Sequence, residues 1–288
     1  MTSTGPDIPH VKRVYLLGTG LIGGSLALDL KDRGLVESVV GSDQIPERSA
    51  SALNRGILDE ILPMDPDVLR DCDLVVLAVP VLSLHTILKN GFDKETLVTD
   101  AGSVKGYCIR AYREAAEAGR GFRYVPGHPI AGDEKSGPNA ARKNLFDGAR
   151  VILTPVDASE KDVSAVSALW EGVGAKIMFM DPDEHDEVFA WVSHMPHMGA
   201  YAMIDSVLQR DPDLIDLSGG GLRDYTRIAA SSPRMWADIA VANRDELLKA
   251  TRGLGDSIRM IIELLEEGDR DQLEEIFQRI AVAKRSGR

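Results

Sequence analysis

The first half of the chain alternates short apolar runs with longer amphipathic segments, a pattern typical of strands separated by helices. The apolar runs predict strands at residues 14–17, 39–43, 74–79, 97–100, 122–125 and 151–154. Between the first two, residues 21–33 predict a helix that Gly34 ends. This alternation predicts an α/β fold with a mostly parallel, Rossmann-type sheet, whose ligand crevice lies at the carboxyl ends of the strands.

The second half of the chain has a different pattern. It predicts one further strand and then three long helices, at residues 176–180, 184–208, 233–267 and 269–284. We therefore predict a Rossmann-type domain at 1–155 and an all-helical domain at 156–288. Apolar residues at helical spacing, such as Leu254, Ile258 and Leu265, form more apolar surface than the remaining chain can cover. This surface favours a homodimer through the C-terminal helices over an intramolecular bundle.

Composition narrows the classes of function. The formal net charge of -12 argues against binding to nucleic acid or to an anionic membrane, and it requires local cations to hold any anionic substrate. No apolar stretch is long enough for a membrane span and residues 1–10 are polar, so we expect a cytoplasmic protein. Cys72 and Cys108 are too far apart in sequence for a metal or redox motif.

A glycine motif follows the first predicted strand. Gly18, Gly20 and Gly23 form a Gly-x-Gly-x-x-Gly turn that opens a helix at Leu21 and Ile22. In such turns the first glycine allows the tight bend, the second admits a pyrophosphate, and the third lets the helix approach the strand. A helix N-terminus also favours phosphate charge. The order of strand, turn and helix predicts a dinucleotide site at these five residues, against the alternative of a glycine-rich loop without chemistry.

The second predicted strand ends at Asp43, where a carboxylate accepts hydrogen bonds from a ribose diol and repels a 2′-phosphate. The acid therefore predicts NAD as cofactor and disfavours NADP, although the nearby Arg48 leaves NADP use open. Alternatively, Asp43 is only a turn residue before Pro46. Val79 and Asp100 stand at the ends of further predicted strands, and we assign both to the same cofactor pocket.

Two segments that follow strands carry candidate catalytic groups. Ser103 comes after the strand at 97–100, and its hydroxyl either caps the next helix or points into the crevice. His128 lies between Gly127 and Pro129 in a predicted loop. Because the ordinary pKa of an imidazole is about 6.5, this side chain is suited to proton transfer at neutral pH.

Three histidines in the helical half raise the question of a zinc site. His194 and His197 are three residues apart and share a helix face, with His185 upstream. Pro196 should kink the helix between them, and no further cysteine or carboxylate stands at ligand spacing. We therefore predict no metal, and expect one of the pair to line a substrate cleft while the other satisfies the backbone near the kink.

An arginine pair supplies the cation that an anionic substrate requires. Arg227 lies four residues after Arg223, so on a helix both could face one side. A guanidinium is the natural bidentate partner of a carboxylate. The alternative is a surface ion pair with Asp224.

These segments together closely resemble the prephenate/arogenate dehydrogenase family of tyrosine biosynthesis. The matching segments are Gly-Thr-Gly-Leu-Ile-Gly-Gly-Ser at 18–25, Asp-Ala-Gly-Ser-Val-Lys at 100–105, Gly-His-Pro-Ile-Ala-Gly at 127–132, Ser-His-Met-Pro-His at 193–197 and the run at 219–227. The resemblance covers nearly the whole chain. It implies NAD-dependent oxidative decarboxylation of prephenate to 4-hydroxyphenylpyruvate and CO2, by a dinucleotide domain joined to a helical dimerisation domain.

The resemblance also implies roles for individual residues. His128 would accept a hydrogen bond, and finally the proton, from the 4-hydroxyl of the substrate, and Ser103 would hold that hydroxyl and orient the imidazole. Arg227 would bind a substrate carboxylate. His197 would help to place the substrate side chain, and we group His194 with it at the cleft.

The family pattern adds four residues near the substrate. Glu134 and Asp224 match acids that form an ionic network with the arginine in some members, and Trp236 matches an aromatic that borders the site. Without the resemblance, Glu134 would be half of a solvated charge pair with Lys135. Asp133 departs from the small neutral residue of several members, and either pairs with the amino group of arogenate or faces water.

Three alternatives to a prephenate dehydrogenase stand at this point. The chain could use arogenate, or both substrates as a dual-specificity cyclohexadienyl dehydrogenase. A 3-hydroxyacid dehydrogenase would need a glycine-flanked lysine, which we do not find around residues 160–200. A nucleotide-sensing protein without catalysis would have no need for Ser103, His128 and Arg227 together.

Overall fold

The computed structural model of the protein describes residues 11–133 and 135–286. The first sheet consists of β1 (Val11–Leu17), β2 (Val36–Ser42), β3 (Glu60–Ile61), β4 (Leu74–Leu77), β5 (Leu97–Asp100) and β6 (Arg123–Val125). All neighbours in it are parallel, in the order β3-β2-β1-β4-β5-β6. This is the strand order of a doubly wound dinucleotide-binding sheet, so the predicted Rossmann-type fold is confirmed.

Helices cover this sheet and alternate with its strands. They are α1 (Leu21–Asp32), α2 (Pro46–Asn54), α3 (Pro66–Arg70), α4 (Val81–Asn90) and α5 (Lys105–Glu117). In β1, Val14 and Leu16 enter one apolar core and Tyr15 enters the other, as side chains alternate along a strand. Because both faces of the centre of the sheet are buried, the central strands β4 and β5 are continuous apolar or fully buried runs that were visible in the sequence, whereas the two exposed residues of β3 gave no such signal.

A second, three-stranded sheet follows the first. It contains β7 (Gly127–Ile130), β8 (Arg150–Leu153) and β9 (Lys176–Phe179), with α6 (Glu160–Gly172) before the last strand. β7 pairs antiparallel with β8, and β8 pairs parallel with β9. Two sequence expectations were therefore wrong in detail, because the strand predicted at 151–154 lies outside the first sheet and the predicted loop around His128 is strand β7. Pro126, which has no N–H to donate, separates β6 from β7 where the chain changes sheet.

Helices form the rest of the described chain. They are α7 (Pro182–Phe189), α8 (Met195–Arg210), α9 (Gly220–Thr226), α10 (Pro233–Ala242), α11 (Arg244–Glu267) and α12 (Arg270–Arg285). A π-helical turn at Ala190–His194 separates α7 from α8, and short 3₁₀ turns lie at Pro138–Ala140, Pro212–Ile215 and Arg227–Ala230. None of the described helices is long and apolar enough to cross a membrane.

Two predicted helices are each divided in the structure. The pattern at 184–208 is interrupted by the π-helical turn, and the pattern at 233–267 is split at Asn243. The backbone of Asn243 leaves helical geometry, and its side-chain amide donates 2.8 Å to the carbonyl oxygen of Asp186. Since this contact joins residues 57 positions apart, local periodicity could not predict the break.

Candidate active site

The glycine turn after β1 has the geometry of a phosphate cradle. Gly18 has φ +93°, and a Cβ there would lie 2.3 Å from the carbonyl oxygen of Ala78. A Cβ at Gly23 would lie 2.2 Å from the carbonyl oxygen of Gly18, so this glycine is needed for the turn to pack on α1. A Cβ at Gly20 would meet nothing within 4 Å, and no side chain caps α1. The turn therefore offers open space and free amide groups to an anion.

The remaining predicted cofactor residues lie around this cradle. Leu21 and Ile22 form the first turn of α1. Val79 borders the glycine turn, with its Cγ1 3.1 Å from where a Cβ of Gly18 would stand. Asp43 accepts hydrogen bonds from the backbone N–H of Thr19 at 3.0 Å and from its hydroxyl at 3.2 Å, so the acid is fastened to the glycine turn.

Asp100 occupies a buried ionic cluster under the strand ends. Its carboxylate accepts from the backbone N–H of Gly102 at 2.6 Å, the Lys105 ammonium at 2.5 Å and the Tyr124 hydroxyl at 2.6 Å. Both charged side chains are fully buried, so each needs the other to offset its lost hydration. Lys105 also donates to the carbonyl oxygen of Gly127 and so anchors β7 beside the candidate base. Sequence reasoning had placed Asp100 in the cofactor pocket and had missed the structural part played by Lys105 and Tyr124.

His128 lies on β7 and is joined to two groups from α7. Its Nδ1 is 2.8 Å from Nε2 of His185, and Nδ1 of His185 is 2.9 Å from Oδ1 of Asp186. Burial lowers the pKa of His128 well below its usual value, and the neighbouring His185, Lys105 and His194 lower it further. Because its pKa lies below neutrality, the His128 imidazole is uncharged at neutral pH and able to accept a proton.

Asp186 also caps the first turn of α5. Its Oδ1 accepts from the backbone N–H of Lys105 at 2.8 Å, and its Oδ2 accepts from that of Gly106 at 2.9 Å. The helix begins after Val104 with no cap from a nearby side chain, so the interpretation of Ser103 as the helix cap was wrong. The capping group is the carboxylate of Asp186, which lies 81 residues after Lys105 in the sequence. Ser103 itself is half-buried and lies in the segment after Asp100.

Two further histidines pack around Trp236. His197 stacks on the indole with ring centroids 3.4 Å apart, and its Nδ1 donates to the carbonyl oxygen of Ser193 in the π-helical turn at 2.8 Å. His194 is buried, its Nδ1 is 3.1 Å from the Asn243 side-chain amide, and burial lowers its pKa to about 4. The two rings thus have different surroundings, and His197 is the one that bonds a backbone carbonyl near the kink, so the division into one cleft histidine and one structural histidine stays a prediction. No cluster able to hold a metal occurs in the described part of the chain.

The candidate carboxylate-binding residues lie at an exposed helix end. Helix α9 ends at Thr226, so Arg227 begins the following 3₁₀ turn and does not continue the helix with Arg223. Arg223 bonds to the Ser218 hydroxyl at 3.4 Å, and Asp224 is exposed nearby. The α-helical spacing on which a shared face was predicted therefore ends at Thr226, although the backbone of Arg227 keeps helical angles, and the shared face of the two arginines stays a prediction.

Asp133 lies in the loop after β7. Asp133 forms an ion pair with Arg142 at 2.9 Å. Glu134 lies outside the described residues, so its predicted place in an ionic network stays a prediction. The roles of the other predicted site residues toward substrate and cofactor also stay predictions.

Known proteins share these features along most of the chain. Residues 26–179 match the family described as "Prephenate dehydrogenase, nucleotide-binding domain", and residues 181–279 match "Prephenate dehydrogenase, dimerization domain". A prephenate dehydrogenase of Bacillus subtilis is 33% identical over 279 residues, which are 94% of this chain and 74% of the relative. A cyclohexadienyl dehydrogenase of Zymomonas mobilis is 32% identical over 278 residues, 93% of each chain.

A solved structure has the same fold. The crystal structure of prephenate dehydrogenase from Aquifex aeolicus, in complex with hydroxyphenyl propionate and NAD+, superposes with a TM-score of 0.86 at 35% sequence identity. The superposition covers 96% of this chain and 98% of that one. The likeness therefore extends over both the parallel sheet and the helical part.

Proposed function

This chain belongs to the prephenate dehydrogenase family of NAD-dependent oxidoreductases, and from this premise we propose that it converts prephenate and NAD+ into 4-hydroxyphenylpyruvate, CO2 and NADH. The observation that carries the proposal is the desolvated, neutral imidazole of His128, which uses Nδ1 in a hydrogen bond to His185. An imidazole must be neutral, with a free lone pair, before it can act as a general base and take a hydroxyl proton. The reaction belongs to tyrosine biosynthesis, as does the family.

The residues around the glycine turn fit a dinucleotide. The open face at Gly20 and the uncapped amides of α1 would hold the pyrophosphate, and Leu21 and Ile22 would lie beneath it. Asp43 would accept the ribose hydroxyls, which is why we favour NAD over NADP. When bound, the nicotinamide supplies the acceptor for a hydride from the substrate ring.

The proposed chemical step balances without a further reagent. Nε2 of His128 accepts the 4-hydroxyl proton while the hydrogen on the same ring carbon leaves as hydride. The ring carboxylate leaves as CO2, the electrons of its bond to the ring complete the aromatic system, and the protonated His128 returns its proton to the resulting phenolate oxygen, which restores the 4-hydroxyl of the product. Ser103 would hold the hydroxyl in line with the imidazole, so that the proton moves over one hydrogen bond.

The helical part would bind the acidic end of the substrate. We assign Arg227 to a substrate carboxylate, because the net charge of -12 makes a local cation necessary. His197 would help to place the substrate side chain from its stack on Trp236. His194 and Asp224 would support this wall, from the buried and the exposed side respectively.

The ion pair of Asp133 favours prephenate over arogenate. Arogenate differs by an amino group that a free carboxylate beside the substrate would attract. Asp133 is already paired with Arg142 at 2.9 Å, which weakens its attraction for a second cation. The cyclohexadienyl dehydrogenase among the relatives keeps dual specificity as the second candidate.

We also propose that the enzyme is a homodimer paired through its last two helices. Leu265 on α11 is 62% exposed, and Phe277 and Ile280 on α12 are 52% and 55% exposed. Such adjacent apolar side chains are typical of a surface that a second copy covers. A cytoplasmic location stays a prediction, and the polar start at residues 1–10 on which it partly rests lies outside the described residues.

The proposal is tested by offering the purified protein each of prephenate and arogenate with each of NAD and NADP. The formation of reduced nicotinamide, followed by its near-ultraviolet absorbance, should be fastest with prephenate and NAD. Faster turnover of arogenate would reverse the substrate assignment. NAD binding without turnover of either substrate would favour a nucleotide-sensing protein instead.

A further inference from the structure

The candidate base is the first member of a chain of three side chains. Nδ1 of His128 is 2.8 Å from Nε2 of His185, and Nδ1 of His185 is 2.9 Å from Oδ1 of Asp186. The Phe189 ring packs against both imidazoles, with centroids 4.8 Å from His128 and 4.5 Å from His185. Both rings are therefore held by packing as well as by hydrogen bonds.

The hydrogen-bond donors and acceptors in this series of three side chains determine the tautomer of each ring. Asp186 accepts two backbone N–H groups, from Lys105 and Gly106, so its carboxylate acts only as an acceptor. Nδ1 of His185 must then carry a hydrogen, and Nε2 of a neutral His185 has only a lone pair. The hydrogen between the rings consequently belongs to Nδ1 of His128, which leaves Nε2 of His128 as a lone pair.

The surroundings keep both rings neutral. Burial is the largest cause that lowers the pKa of His128 and of His185, and the ammonium of Lys105 on α5 lowers both further. His194 adds to the lowering at His128, whereas Asp186 and Asp100 act in the opposite direction on His185. The charged groups that face the two rings thus include one cation and two carboxylates, of which only Asp186 contacts a ring.

Capping of α5 explains only part of the placement of Asp186. The cap requires the two backbone contacts, but it does not require a histidine on the same oxygen or a second histidine beyond it. Asn243 adds a hydrogen bond of 2.8 Å to the carbonyl oxygen of Asp186, and a Cβ at Gly106 would lie 3.0 Å from its Oδ2. The two backbone N–H groups, the Asn243 side chain and the absence of a Cβ at Gly106 together favour one orientation of the Asp186 carboxylate. This carboxylate in turn orients His185.

We propose that His185 and Asp186 are positioning residues that hold His128 in the tautomer with a free Nε2 and stabilise the imidazolium that forms when it takes the substrate proton. This inference rests on the proposed function, in which His128 is the base. The same logic applies to a serine-protease triad, where an aspartate fixes the tautomer of a histidine and its replacement by asparagine reverses it. Here an additional imidazole stands between the carboxylate and the base.

The decisive variant is Asp186→Ala. Without the carboxylate, the hydrogen of His185 is no longer held on Nδ1, so His185 can donate from Nε2 to Nδ1 of His128 and the hydrogen of His128 can move to Nε2. We expect kcat to fall by about 10²–10⁴ while the affinity for NAD is unchanged. His185→Leu should reduce kcat to a similar extent, whereas His185→Gln, which can accept from His128 and donate to Asp186, should restore most of it.

NMR of isotope-labelled imidazole nitrogens in the full-length protein reports the tautomer directly, with His128→Asn used to assign the His128 signals. We expect a hydrogen on Nδ1 in the unsubstituted protein and a large share of it on Nε2 in Asp186→Ala. Asp181→Ala is the matched control, because it removes the side-chain cap of α7 without touching His185. It should lower thermal stability but change neither kcat nor the tautomer.

The outcomes separate this inference from the proposed function. A hydrogen on Nε2 of His128 in the unsubstituted protein, or full kcat in Asp186→Ala or His185→Leu, would overturn the inference. If the unsubstituted protein fails to oxidise prephenate, the proposed function fails, and the NMR comparison still decides whether these residues set the tautomer.

Discussion

At the scale of residues, the central feature is a half-buried imidazole whose pKa is lowered by desolvation and by the neighbouring His185, Lys105 and His194. His128→Asn keeps a polar side chain of smaller size but removes the group that can take the proton. We expect kcat with prephenate to fall by about 10²–10⁴, with NAD affinity retained, as measured by steady-state kinetics and by titration of NAD. Unchanged turnover in this variant would exclude His128 as the base.

The arginine at the start of the 3₁₀ turn offers a second test. Arg227→Ala should mainly raise the KM for the acidic substrate, at a cost of roughly 2–4 kcal/mol in kcat/KM. Arg223→Ala is a matched control, because Arg223 lies four residues before Arg227 and bonds to the Ser218 hydroxyl. Equal losses in the two variants would contradict a specific contact between Arg227 and a carboxylate.

Burial of His194 should make the fold sensitive to acid. The pKa of this group is about 4 in the folded protein against 6.5 as its ordinary value, so the unfolded chain binds the proton more tightly. Above pH 6.5 the titration of His194 does not change the free energy of unfolding. As the pH drops from 6.5 toward 4, the free energy of unfolding falls, by about 3 kcal/mol in all. Denaturant unfolding across this range should show a weaker pH dependence for His194→Asn, whose side-chain oxygen can still accept from Asn243. An unaltered pH dependence would contradict this assignment.

At the scale of elements, strands whose residues are buried on both faces were predictable, and those fixed by distant contacts were not. β4 and β5 follow from uninterrupted apolar runs. β7 has the sequence Gly-His-Pro-Ile, which carries no alternation, and it becomes a strand because β8 pairs with it. The π-helical turn and the break at Asn243 likewise depend on tertiary contacts.

The candidate site was predictable to the same degree. The flanking glycine and proline, together with the family resemblance, drew attention to His128, but its partner His185 lies 57 residues away. His185 and Asp186 are adjacent in the sequence, but the sequence did not indicate which groups they would contact. The division of the chain at residue 155 stays a prediction, since β9 beyond it pairs with β8 before it.

Two glycines of one turn should respond differently to the same substitution. Gly20→Ala adds a methyl group that meets no protein atom within 4 Å, so the fold should keep its stability while NAD affinity falls. Gly23→Ala forces a contact of 2.2 Å with the carbonyl oxygen of Gly18, so thermal stability itself should fall by a few degrees or more. Calorimetry and NAD titration of both variants measure the two effects. Equal NAD affinity in Gly20→Ala and the unsubstituted protein would contradict the proposal that this glycine turn holds the pyrophosphate.

At the scale of the whole molecule, the apolar face of the last two helices predicts the assembly state. Leu265→Asp together with Phe277→Asp places two charges on that face and should convert a dimer into monomers in sedimentation velocity. Leu217→Asp is the control, because Leu217 is 81% exposed and lies outside both helices. A dimer that survives the double substitution would show that another surface pairs the copies.

Asp186 also limits how the molecule can flex. Its two bonds to the amides of α5, and the hydrogen bond between His185 and His128 on β7, fasten α7 to the preceding part of the chain. The start of helix α7 is therefore held in place, and its end leads into residues that these bonds do not hold. The first irregular backbone there is the Ala190–His194 turn, where the helical ladder is already loosened. A deformation of this turn would leave the bonds of Asp186 to α5 and to His185 intact, because all of these partners precede it in the chain.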